Sequence, residues 1–182
     1  STQALGFKPG MRQVNVSAGE AVLNGEQVEQ AGGVQALEAM RPNEEAVDAH
    51  LLSQSIGNDP LMTLKLLAHV AALRSERRTT DPETVTAALV MLGIAPFFRD
   101  FGRQPTVQAH LSGQPEALRG LAAVIRRAHR ASAFALAFAV HRMDHDAPVI
   151  HVAALLHDFA EMLLWLHAPA LALHIAERQR AD

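Results

Sequence analysis

The stretch Leu155-Leu156-His157-Asp158-Phe159-Ala160-Glu161-Met162 sets an imidazole and two carboxylates into a run that is otherwise apolar. Neighbouring helical residues project about 100° apart, so His157 and Asp158 can share an ion only if it lies in the angle between them, and a third ligand must come from another helix. His129 is the best candidate, because it lies on the preceding long helical segment with enough intervening chain for the two segments to pack antiparallel. Imidazole with carboxylate oxygen suits Mn, Fe, Zn or Ni better than Mg alone, and such an ion can activate water for hydrolysis. A hydrogen-bonded structural pair is the commoner fate of a buried His-Asp pair, since buried charge persists only when paired or liganded. Residue types and spacing do not choose between the two. Seven of the ten histidines fall between His129 and His174, which is the one compositional hint of a site.

Other side chains with chemical potential have blander readings. His141 and His145 stand at i, i+4, a spacing that can bind Zn on a continuous helix, but His and Arg at a helix C-terminus more often serve the dipole. His151, His167 and His174 each read as core or boundary residues of apolar helices. Arg126, Arg127 and Arg130 form a small basic group, as do Arg74, Arg77 and Arg78, and scattered solvated charge accounts for both. Trp165, Phe159, Met162 and Leu163 read as core, and Phe97, Phe98 and Phe101 as core or an apolar docking edge.

The elements that must position these groups are helices. From Val34 onward the pattern is helical nearly throughout: Glu44 to Ile56 carries Val47, Leu51, Leu52 and Ile56 on one stripe. Asp59-Pro60 and Asp81-Pro82 repeat one device, an N-cap carboxylate followed by a proline that needs no N–H at N1. Gly93 reads as an αL stop, Ile94 to Phe101 as a short helix, and Gln104 to Gly113 as a polar connection. Pro115 to about Met143 reads as one long helix that Gly120 weakens near its start. Val149 to His167, apolar on nearly every side, reads as a central helix surrounded by others, and Pro169 opens the last helix, Ala170 to Arg180. Residues 1–33 are polar and rich in Gly and Gln. They form either a hairpin turning at Asn24-Gly25 or an extended leader ending at Gly32-Gly33. The expected division is therefore a leader or hairpin over 1–33 and an all-α domain over 34–182.

Composition narrows the function. A chain of 182 residues with 49% hydrophobic content can bury a sizeable core. A formal charge of -3 supplies no field to neutralise a nucleic-acid backbone, so no nucleic-acid partner is expected. The absence of cysteine fits a reducing compartment, and the cytoplasm is expected. Arg126-Arg127 and His157-Asp158 with Glu161 interrupt the two longest apolar stretches, so no membrane association is expected. A chain that starts at Ser1 and stops at Asp182 just after a helical pattern is expected to be a trimmed piece.

Three segments, in order, carry a family resemblance. "AALLHDFAEMLLWLHAPALALHI" resembles the signature helix of the HD superfamily, and in particular of its HDOD branch (HD-related output domain), in which an "LLHD" helix precedes a proline-started one. "IGNDPLMTLKLLAHVAAL" is similar to the family's "DPxLTxKLLRLxNSA", and "VTAALVMLGI" to its "IxxAxxxLG". The resemblance spans about Val34 to Arg180. It implies an all-helical, HD-like bundle serving as a regulatory module in bacterial signal transduction, beside receiver, cyclic-dinucleotide or kinase domains as partners.

Catalytic HD relatives are metal-dependent phosphohydrolases, including cyclic-dinucleotide phosphodiesterases, whereas HDOD members are generally regarded as non-catalytic. Catalytic cyclic-dinucleotide relatives read "HDIGK"; here Ala160 replaces the glycine and Glu161 the lysine. A glutamate repels phosphate where a lysine would balance it. His129 matches the superfamily's first histidine ligand, but Asp182 is the only aspartate after Asp158, so the implied metal set is incomplete. Ala71-Ala72 replace the family's Asn-Ser pair. The resemblance thus implies a degenerate site of His129, His157, Asp158 and Glu161 with no cofactor and no catalytic residue. The alternative is a divalent transition metal on His129, His157 and Asp158 in a phosphohydrolase. A third reading keeps the cleft as a small-molecule or nucleotide sensor without turnover. Oligomeric state is not legible from these residues.

Overall fold

The computed structural model describes residues 48–73, 81–102 and 105–181, together with the backbone of a short hairpin near the N-terminus. In that hairpin β1 (Val22–Leu23) pairs antiparallel with β2 (Glu26–Gln27), Val22 opposite Gln27 and Leu23 opposite Glu26. The remaining readings on residues up to 47, including the helix start at Glu44, lie outside the described residues, as do Arg74, Arg77 and Arg78.

Everything else with regular structure among the described residues is helix. α1 (Ala49–Ile56) begins at Asp48, whose side chain accepts from the Leu51 N–H at 2.7 Å. α2 (Pro60–Ala72) begins at Asp59, whose carboxylate accepts from the N–H groups of Leu61 and Met62 at 3.0 and 2.9 Å, with Pro60 in the position where no donor is needed. The second Asp-Pro pair does not do the same. Asp81 and Pro82 precede the helix, and α3 (Val85–Leu92) is capped by Thr84, whose hydroxyl accepts from the Ala87 N–H at 3.1 Å. Thr84 sits directly before the first apolar residue of the stripe, three residues nearer than Asp81, and position decides between two competent caps.

Gly93 ends α3 and starts α4 (Ile94–Phe101) in one residue, at φ +89 and ψ 151. This is not the αL conformation expected of a helix stop, but a more extended region open almost only to glycine. The expected polar connection after α4 contains a helical turn, α5 (Val107–His110), because Val107 and Leu111 bury themselves in the core. α6 (Pro115–His141) is the long helix. α7 (Ala147–Leu156), α8 (Phe159–His167) and α9 (Pro169–Ala181) follow.

Two apolar clusters hold the helices together. The first joins α1 to α4 through Leu52, Ile56, Leu66, Leu89 and Phe97, all fully buried, with Phe98 and Phe101 beside them. Burying each such side chain stabilises the fold by roughly 1.5–3 kcal/mol before entropy is counted. The second joins α5 to α9 through Leu121, Val124, Leu155, Met162 and Trp165. α2 belongs to both, since Leu61 faces the second cluster while Met62, Leu66 and Val70 face the first. α6 is the spine of the second cluster and packs against α7, α8 and α9. Gly120 does not weaken α6 so much as let it approach α8: a Cβ there would lie 2.5 Å from the Trp165 ring.

The expected central helix over Val149 to His167 is two helices, broken at His157 and Asp158. It is also not surrounded. α7 buries Ala147, Val152 and Leu155 and α8 buries Met162, Trp165 and Leu166, leaving other faces partly open. By length and composition the segment Ala147–His167 could cross a membrane, yet it carries the break and both carboxylates of the candidate site.

Candidate functional site at the His157-Asp158 break

The α7–α8 break puts an acidic side chain where a capping residue belongs. Asp158 is the N-cap of α8, but its carboxylate makes no capping bond; only its carbonyl continues the helix, accepting from the Met162 N–H at 3.1 Å. The carboxylate is engaged elsewhere. Arg127 on α6 donates from Nε to Asp158 Oδ2 at 2.8 Å and from Nη2 to Glu161 Oε2 at 2.5 Å, so one guanidinium forks across both acids. His157 Nδ1–H donates to the other oxygen, Asp158 Oδ1, at 3.1 Å. The planar fork of arginine suits this pairing and fixes the side chains in a way a single ammonium would not.

The electrostatics follow from the contacts. The hydrogen bond from Arg127 holds the Asp158 carboxyl below its usual range, burial opposes that shift, and the bond from His157 adds to it. The guanidinium is in turn held more firmly protonated by bonds to Asp158 and then Glu161. The cluster is shallow: Arg127 is 48% and Asp158 24% exposed. It is a solvent-washed latch between α6 and the α7–α8 corner, and its energy is correspondingly modest.

His129 does not join it. Two residues beyond Arg127 on α6, it leaves the helix about 200° further round. Its Nε2–H donates to the Asn58 carbonyl at 2.6 Å, tying α6 to the α1–α2 turn. His157 is 82% exposed. The expected ligand set of His129, His157 and Asp158 is therefore not brought to one point, and among the described residues no three His, Asp or Glu side chains are placed to hold a metal ion. The Asp158 carboxylate, the acid that would anchor such an ion, is instead bridged to the Arg127 guanidinium.

The remaining histidines are dispersed. α6 ends at His141, so His141 and His145 do not share a helix, and both are exposed. His151 is half-buried, with Nδ1–H donating to the Ser132 carbonyl at 3.5 Å. His110 Nε2–H donates to the Leu166 carbonyl at 3.1 Å and its ring meets that of His167 edge-on. His167 and His174 are exposed, not the core or boundary residues expected, because α8 and α9 turn those positions outward.

Arg127, which the sequence reads as scattered charge, is the residue that joins the two acids of this cluster. The available signal was its place in the apolar run of α6, where an arginine has to find a partner or reach solvent.

A comparison with protein-family models matches the HDOD domain over residues 33–182. No curated protein and no solved structure matches the chain.

Proposed function

Since the chain belongs to the HDOD family, whose model covers residues 33–182, we propose that it is a non-catalytic regulatory module of bacterial signal transduction, cytoplasmic and working through protein partners or a sensed ligand. The observation that supports this reading is the Arg127 fork on Asp158 and Glu161. A hydrolytic HD site needs an open carboxylate to hold the ion that activates water. Here the carboxylate is neutralised by a side chain of its own chain. One guanidinium against two acids also leaves the cluster net negative, which disfavours an anionic phosphate ester. What remains is a helical surface whose partners, on the family resemblance, are receiver, cyclic-dinucleotide or kinase domains.

The experiment is a turnover assay of the purified protein with cyclic dinucleotides and (p)ppGpp in the presence of manganese. The reading expects product no faster than the protein-free blank. Hydrolysis that disappears in His157→Ala would establish the metal-dependent phosphohydrolase instead.

A further inference from the structure

The last turns of α6, away from Arg127, present aromatic side chains to solvent. Phe134 is 75% exposed and Phe138 55%. One helical turn apart, their rings stack with centroids 6.5 Å apart and planes inclined by 16°. Arg142, a further turn on, lays its guanidinium 5.9 Å from the Phe138 ring centroid. With Ala135, Asp144 and Ile150 these residues line an open groove of about 510 Å³ between α6 and the start of α7.

The turn beside the groove adds to the pattern. Met143 N–H donates to the Val140 carbonyl at 2.9 Å and Asp144 N–H to the Ala139 carbonyl at 3.0 Å, the paired bonds of a Schellman helix end. The residue in the left-handed position of that motif is usually glycine; here it is Met143, at φ 55 and 85% exposed. A methionine there costs about 1 kcal/mol relative to glycine. The isolated domain gains nothing visible from it, whereas a covered face gains a flexible apolar side chain.

Size and charge select the occupant. A phenylalanine ring covers 150–250 Å² when buried, so the exposed parts of Phe134 and Phe138 amount to roughly 250 Å², and with the other groove-lining residues the patch approaches the scale that marks interaction sites. Its rim carries one cation, Arg142, and one anion, Asp144, two residues apart. Such a rim matches neither a uniformly acidic nor a uniformly basic partner, but it matches itself across a two-fold axis, where each residue meets its opposite number's complement. We propose that this face is the two-fold interface of a homodimer, with the Phe134 and Phe138 rings packed across the axis and Arg142 of each copy facing Asp144 of the other. Two such patches with their rims come at most to the low end of specific interfaces, so a weak, concentration-dependent dimer is expected.

Sedimentation-velocity runs on the 182-residue chain up to about 100 µM test this, with circular dichroism as the folding control. The wild type should pass from monomer to dimer as concentration rises, and Phe134→Asp should weaken association at least about tenfold. Arg142→Asp and Asp144→Arg should each weaken it as well, by setting like charges opposite one another. The combined R142D/D144R chain should dimerise again, although it carries both local disturbances, including loss of the bond from the Asp146 N–H to Asp144 Oδ1. A wild type that stays monomeric throughout overturns the proposal. So does a dimer indifferent to Phe134→Asp, or single reversals that the combination fails to rescue.

Discussion

Arg127 and Asp158, 31 residues apart in the chain, meet Nε to Oδ2 at 2.8 Å, and this one pair ties α6 to the corner between α7 and α8. Arg127→Ala should destabilise the domain, but by no more than about 1 kcal/mol, because the guanidinium is half-exposed and water screens the pair. A double-mutant cycle with Asp158→Ala in urea denaturation measures the coupling. About 0.5–1 kcal/mol is expected, and additivity of the two substitutions would show that the fork contributes no stability.

The same pair sets an acid limit. The folded-state pKa of Asp158 is depressed, with the Arg127 bond as the first cause. A depressed carboxyl contributes stability that is complete above its unfolded value near 3.8 and is lost as pH falls through the lower folded one. The stability difference between wild type and Asp158→Asn should therefore be constant from about pH 5 to 8 and shrink below about pH 4. Urea midpoints taken across that range check it. A difference that grows toward acid would give the opposite sign and contradict the assignment.

Gly120→Ala should be costly for a reason unrelated to helix propensity, which favours alanine. Its Cβ would stand 2.5 Å from the Trp165 ring, and Trp165 is buried and cannot swing aside freely. Overpacking of this kind costs about 1–3 kcal/mol, read as a lower melting temperature. A melting temperature equal to or above that of the wild type would mean α6 and α8 are not in close contact there.

Thr63 offers the reverse. It is fully buried on α2 and its hydroxyl has no hydrogen-bond partner among the described residues. Thr63→Val keeps the shape and removes the stranded polar atom, so a gain of about 1 kcal/mol in chemical denaturation is expected. A loss would indicate that water or a ligand group satisfies the hydroxyl.

What could be read from the sequence was mostly local. Asp59-Pro60, the Ile94 to Phe101 helix and the proline-opened α9 depend on neighbours within a turn, and single-residue physics settles them. Asp81 misled because a second capping residue, Thr84, stood closer to the apolar stripe. The break at His157-Asp158 was hidden by apolar residues on both sides, since a long apolar run carries little periodicity to interrupt. The site was harder still. His129 was placed correctly on the long helix, but which way it points depends on the phase of α6 against the α1–α2 turn, a tertiary quantity. Arg127 differs from Arg126 and Arg130 only in what lies opposite, 31 and 34 residues further along the chain.

On the proposed reading, Arg127 latches the Asp158 carboxylate and keeps it from an ion. The most direct test is the manganese or iron content of the chain after equilibration with the metal and removal of excess, measured for wild type and Asp158→Ala. Both should carry only background metal, with no difference between them. One equivalent or more on the wild type, lost in Asp158→Ala, would contradict it.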